Sequence, residues 1–171
     1  MLEITRVEAI GLEREMEAFI EVLRDSVNGG ASVGFLPPLG PEEARAYWRE
    51  VAQAIRRRTR VLLAARETGR LSGTVQLELE SRPNGWHRAE VMKLLVDSAE
   101  RRRGIGRRLM EAAEEAARAH ARSLLVLDTK QGDAAEHLYR ALGYVEAGVI
   151  PGFALDAERR PHATTIFYKE L

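Results

Sequence analysis

The chain contains no cysteine. Disulfides, thiolate metal sites and a cysteine acyl-enzyme are excluded with it. It also lacks net charge, with 26 basic residues against 26 acidic ones. No global electrostatic term therefore draws it to nucleic acid or to an anionic membrane. Its histidines (His87, His120, His137, His162) are scattered without HxxxH or HxH spacing, which argues against a metal site. No long apolar run occurs, and Met1–Gly11 carries charges, so neither a membrane span nor a signal peptide is expected. A cytoplasmic protein is the default expectation. Lysine is scarce: Lys93, Lys130 and Lys169 stand against a large excess of arginine. In a chain this rich in alanine, that bias fits genomic base composition, and single arginines carry little weight.

At 171 residues the chain is expected to form one domain spanning residues 1–171, with enough length for a core. Leu2–Ala9 alternates loosely and predicts a strand. Met16, Phe19, Ile20 and Leu23 give helical spacing over Glu13–Val27, ended by Asn28-Gly29-Gly30. Ala31–Gly40 is a loop, and Pro41 opens a helix to Arg57. Arg60–Ala65 and Leu71–Leu79 are strands around a turn at Thr68-Gly69-Arg70. Arg82-Pro83-Asn84-Gly85 turns the chain into a strand over His87–Val96. A helix over Gly104–Ala119 and a short strand at Leu124–Leu127 follow. Asp133 and Glu136 form a capping-box variant at the start of a helix that ends at Leu142-Gly143. Tyr144–Ile150 and Thr164–Tyr168 are the last strands, joined by a loop over Pro151–His162. This order predicts an α+β class: a mixed, mostly antiparallel sheet with helices on both faces.

The most informative segment is Val96-Asp97-Ser98-Ala99-Glu100-Arg101-Arg102-Arg103-Gly104-Ile105-Gly106-Arg107-Arg108-Leu109-Met110. A strand runs into three arginines, two spaced glycines and an amphipathic helix. Glycine lets backbone approach a ligand closely. A helix N-terminus offers unpaired N–H groups and the positive end of the dipole. Together they make a diphosphate cradle. The GKS/GKT ending of a nucleotide P-loop and the Rossmann GxGxxG spacing are both absent.

Arg101-x-x-Gly104-x-Gly106 after a strand resembles motif A of the GCN5-related N-acetyltransferase (GNAT) family. Ala134-Ala135-Glu136-His137-Leu138-Tyr139-Arg140-Ala141-Leu142-Gly143-Tyr144 resembles its motif B. The resemblance implies the acyl-CoA N-acyltransferase fold, acetyl-CoA as co-substrate and no metal. It implies that backbone groups of Leu94, Leu95 and Val96 bind the pantetheine arm, freed where a β-bulge splays that strand from its neighbour. The N–H groups of Arg101, Arg102, Arg103, Gly104, Ile105, Gly106 and Arg107 would hold the diphosphate. Two departures stand out: Ser98 replaces a common proline, and Gly132 replaces an asparagine that often contacts CoA.

Acetyl transfer needs a deprotonated amine close to the thioester, and a proton for the departing thiolate. Glu90, an acid heading an apolar strand, is the first candidate base. The same residue also fits a strand-edge acid paired with Arg88 or Lys93. Asp128 fits a second proton-handling acid or a turn carboxylate. By resemblance Tyr139 protonates the thiolate, although a buried core tyrosine would look the same in sequence. Val27–Phe35, Pro83–Gly85, Arg88–Leu94 and Leu127–Thr129 further resemble a toxin-resistance member of the family that acetylates a β-lactam toxin. That resemblance makes Ser32, Val33, Gly34, Phe35, Asn84 and Trp86 candidates for binding the acceptor. The expected activity is acetyl-CoA-dependent N-acetylation of a small amine, an amino-acid-like toxin or antibiotic among the candidates, by direct attack in a ternary complex. A protein lysine or N-terminal acetyltransferase and a non-catalytic acyl-CoA-binding module are the alternatives, and the sequence leaves a homodimer open.

Overall fold

The computed structural model describes all 171 residues. Seven strands form one sheet in the order β1-β2-β3-β4-β5-β7-β6. They are β1 (Leu2–Arg6), β2 (Arg60–Glu67), β3 (Arg70–Leu79), β4 (Arg88–Val96), β5 (Leu124–Lys130), β6 (Val145–Leu155) and β7 (Pro161–Glu170). Only the β4–β5 pair is parallel; every other ladder is antiparallel. Helices α1 (Ala9–Arg14), α2 (Met16–Asn28) and α3 (Pro41–Arg56) cover one face, and α4 (Ile105–Ala119) and α5 (Ala134–Ala141) the other. The expected mixed sheet between two helical layers is therefore present.

Alternation along the strands assigns the two cores. Leu62 and Ala64 of β2 pack under Phe19, Leu23, Trp48 and Val51. Val61, Leu63 and Ala65 point the other way, with Val75, Leu77 and Leu125, towards Leu109 and Ala113 of α4. Trp48 is fully buried and its indole N–H donates to the Phe19 carbonyl at 2.9 Å, so it anchors α3 on α2 without leaving a polar atom unpaired.

Three expectations need correction. The first strand ends at Arg6 rather than Ala9, because Ala9, Leu12, Met16, Phe19 and Leu23 form one helical stripe that begins at α1. Residues 151–162 are mostly strand rather than loop: β6 continues through a bulge and re-pairs Ala154 with His162 and Leu155 with Pro161. The capping box at α5 is also incomplete. Asp133 occupies the cap position, but its side chain makes no cap bond. Glu136 instead accepts from the Gly132 N–H at 3.2 Å and from Thr165 Oγ1 at 2.6 Å, tying α5 to β7.

Two irregularities position the site. The β4–β5 ladder stops at Glu90↔Val126, after which the parallel strands part. On its other edge β4 carries a bulge: Gln76 pairs with Met92 but Thr74 pairs with Leu95, so β4 holds one extra residue there. Lys93 takes up that residue at φ +51. The bulge reverses the alternation. Ala89 and Val91 face the α4 core, whereas Leu95 faces the core under α2 and α3. Gly73 makes this close approach feasible, since a Cβ there would lie 2.6 Å from the Leu95 carbonyl oxygen.

Candidate active site

The cleft where β4 and β5 part holds two adjoining cavities. The larger, about 590 Å³, is walled by Leu94, Leu95 and Val96 of β4, Arg101 to Arg107 except Arg103, the start of α5, and Ser26, Gly29 and Gly30 at the end of α2. The smaller, about 300 Å³, is walled by Glu90 to Leu94, Asp128, Thr129, Tyr139, Thr164, Phe153 and the first loop. Ala31, Leu94, Asp133 and Ala135 border both.

The larger cavity has the chemistry of a diphosphate cradle. Gly104 caps α4 with φ +79, the left-handed region that glycine enters without strain, and no side chain caps the helix. The first N–H groups of α4 thus remain available at the positive end of its dipole. Ser26 is buried, borders the cavity, and its Oγ has no partner in the protein. A buried hydroxyl left unpaired in the cavity wall is a hydrogen-bonding group that the protein itself does not satisfy. Along β4, the edge facing β5 has no ladder partner beyond Glu90, which suits an extended arm that pairs with strand backbone. These residues fit acetyl-CoA.

The arginines divide. Arg101, Arg102 and Arg107 border the cavity, whereas Arg103 lies outside it, bound to Glu100 and to Glu67 at 2.8 Å. The Ser98 departure also has a structural counterpart. Its N–H and Oγ each reach an oxygen of Asp25 at 2.8 Å. Proline has no N–H to donate, so the turn before the cradle is braced by α2 instead of by a ring.

The smaller cavity brings Glu90, Asp128 and Tyr139 together with Ser32, Val33 and Gly34. Burial pushes the Glu90 carboxyl above its ordinary range, helped by Asp128 and then by Glu78, its partner across the β3–β4 ladder. Asp128 Oδ2 lies 2.9 Å from Thr164 Oγ1. Tyr139 projects from α5, its ring packed on Tyr144 and Phe167. Burial, then the charges of Asp133 and Asp128, holds its hydroxyl well above the usual phenol range, so it remains a proton donor at neutral and mildly basic pH.

Other candidates lie elsewhere. Phe35 sits behind the cavity, edge-on to Tyr47 at 5.3 Å. Asn84 and Trp86 belong to the β3–β4 turn and border neither cavity; Trp86 is exposed beneath Arg122. Sequence reasoning missed Ser26, Lys93, Phe153, Ala154 and Thr164 as lining residues. Phe153 and Ala154 arrive through the β6 bulge, and no local motif marks them. The first loop is held to β7 by Ser32 Oγ, 3.2 Å from His162 Nε2. The His162 Nδ1–Ala163 carbonyl contact at 3.0 Å makes Nδ1 the protonated nitrogen, so in the neutral ring Nε2 accepts from Ser32.

Residues 20–144 match the Acetyltransferase (GNAT) family. The chain belongs to this family of acetyltransferases. It is 32% identical over 109 residues to the "uncharacterized N-acetyltransferase in hisH-hisA intergenic region" of Azospirillum brasilense, a match that spans 63% of this chain and 63% of that protein. Its fold is similar to yncA from Salmonella typhimurium, solved with its cofactor acetyl-CoA (TM-score 0.82, 18% identity, covering 100% of this chain and 94% of that one). It is equally similar to the ribosomal-protein-alanine N-acetyltransferase of Brucella melitensis (TM-score 0.81, 23% identity, 99% of each chain). No helix is long and apolar enough to cross a membrane, and no cluster of three or more histidines and carboxylates is arranged to hold a metal ion.

Proposed function

We propose that the protein transfers the acetyl group of acetyl-CoA to the amine of a small molecule, by direct attack with both substrates bound. The observation that carries this reading is the adjacency of the two cavities. A donor held along Leu94–Val96 and the α4 cradle ends where Leu94 and Ala135 open into the second cavity, beside Glu90, Asp128 and Tyr139.

Acetyl-CoA supplies an acetyl group activated as a thioester. Everything else falls to the chain. Arg101, Arg102 and the α4 N–H groups hold the diphosphate, and the free edge of β4 orients the pantetheine arm. Glu90 takes the proton from the incoming ammonium, directly or through a water, and its raised proton affinity brings it closer to the amine it must deprotonate. Asp128, held by Thr164, shares that task. The Tyr139 hydroxyl delivers a proton to the departing sulfur.

A cavity of about 300 Å³ suits a small acceptor better than a peptide chain. The resemblance of Val27–Phe35, Arg88–Leu94 and Leu127–Thr129 to segments of the tabtoxin resistance protein favours an amino-acid-like toxin or antibiotic. The test is CoA release over a panel of small amines, amino-acid antimetabolites and N-terminal peptides. Turnover confined to small amines supports the reading. Turnover confined to peptides would assign the enzyme to protein acetylation, and acetyl-CoA binding without turnover would make it a binding module.

A further inference from the structure

The acceptor cavity holds one cation that the proposed mechanism does not use. Among the residues lining it, Glu90, Asp128 and Asp133 are acids and Lys93 is the single base. The β4 bulge brings Lys93 there. In an unbroken strand Lys93 would share the face of Ala89 and Val91, under α4. The extra residue, at φ +51, turns it instead towards Phe35, Tyr47 and Gly34 on the opposite face. Glycine would take this conformation without strain, yet the chain holds a long cationic side chain in it.

The ammonium has a built seat and no charged partner in contact. Nζ lies 5.9 Å from the Phe35 ring centroid and 5.6 Å from that of Tyr47. The two rings meet edge to face, and Gln76 Nε2 donates to Tyr47 Oη at 2.9 Å, so the seat is braced by β3. Glu90 and Asp128 act on Lys93 only through space, and none of its neighbours hydrogen-bonds the ammonium. Burial, then the nearby Arg60, pulls its proton affinity below the ordinary lysine range. A cation removed from water is costly unless it is paired, and aromatic faces return only part of that cost.

We propose that Lys93 is a specificity-determining residue that binds an anionic group on the acceptor, so the preferred substrate is an amine that also carries a carboxylate, phosphonate or similar anion. Such a substrate would set its ammonium beside Glu90 and Asp128 and its anion at Lys93 on the aromatic seat. This inference rests on the acetyltransferase reading.

The test compares free L-amino acids with their carboxamides in steady-state CoA release, using the wild-type enzyme, Lys93→Met and Lys93→Arg. An amide keeps the shape and loses the charge. Its amine is also less basic, so more of it is free at neutral pH and the chemistry alone favours the amide. A preference for the acid must then come from binding. The wild type is expected to show KM values about ten- to a hundredfold lower for acids than for amides, the size of one charge-assisted contact. Lys93→Met should erase that gap through KM, with kcat and the amide constants within about threefold, and Lys93→Arg should restore part of it. Equal KM values for acid and amide in the wild type would overturn the proposal, whether or not the variants fold. So would a Lys93→Met enzyme that loses acid and amide turnover alike, since a purely structural role acts on both. Either result leaves N-acetylation standing. Acetyl-CoA binding with no turnover of any amine would remove that reading and this inference together.

Discussion

Glu90 and Asp128 stand on neighbouring parallel strands and face one cavity across the point where those strands part. Glu90 and Val126 form the last rung of the ladder, and Asp128 lies two positions further along β5. The two carboxylates therefore interact where the backbone no longer holds the strands together, and Asp128 raises the cost of charging Glu90.

Removing the proposed base should affect rate and stability in opposite directions. Glu90→Gln is expected to lower kcat by about a hundredfold or more, the usual yield of a positioned general base. In the wild type, the acid limb of the kcat/KM profile should lie above the ordinary glutamate range, because burial and Asp128 raise this carboxyl. Asp128→Asn should move that limb to lower pH. The sign for stability follows from the same shift. The folded protein binds this proton more tightly than the unfolded chain, so the contribution is present at low pH and lost as pH rises through the folded pKa. Glu90→Gln should therefore raise the melting temperature at pH 7 relative to wild type, and that gain should vanish below the ordinary glutamate pKa.

Tyr139→Phe should lower kcat by about tenfold or more while leaving acetyl-CoA affinity unchanged, since only the proposed proton donor is lost and the ring still packs on Phe167. Because the hydroxyl is held above the usual phenol range, kcat should show no alkaline limb from Tyr139 below pH about 10, the ordinary phenol value. A pH–rate profile of wild type and variant checks both points.

The arginines of the cradle should separate cleanly. Arg101→Ala removes a cation that borders the donor cavity and should weaken acetyl-CoA binding by about tenfold, the loss of one charge-assisted contact. Arg103→Ala removes one already bound to Glu67 and Glu100 and should change that affinity by less than about twofold, as expected of an exposed ion pair away from the ligand. Calorimetric titration with acetyl-CoA compares them directly.

Gly73→Ala tests the bulge. A Cβ at this position meets the Leu95 carbonyl oxygen at 2.6 Å, and backbone cannot retreat as a side chain can. The substitution should destabilise the fold by about 1–3 kcal/mol, the usual cost of overpacking. It should also weaken acetyl-CoA binding, because the same strand segment carries the free edge. Denaturant melts and titrations of the variant measure the two effects.

The α4 cradle of the candidate site is legible in sequence because its determinants are local. Gly104, Gly106 and the helix they open lie within one turn of each other, and periodicity alone marks α4. The acceptor half is assembled by departures from periodicity. Lys93 enters through an extra residue in β4, and Phe153 and Ala154 through the β6 bulge, in a stretch the sequence predicts as loop. Alternation rules assign a residue to a face only while register holds, and here register breaks at both walls of the cavity. Asn84 and Trp86 were singled out by similarity of a segment, and the structure puts that segment in a turn outside the cavity.

The most direct test of acetyl transfer by direct attack is the initial rate of CoA release with acetyl-CoA and an amine varied together. The account predicts amine-dependent release, intersecting double-reciprocal lines, and loss of that release in Glu90→Gln. Parallel lines, the signature of a covalent acetyl-enzyme, or release that does not depend on the amine would contradict it.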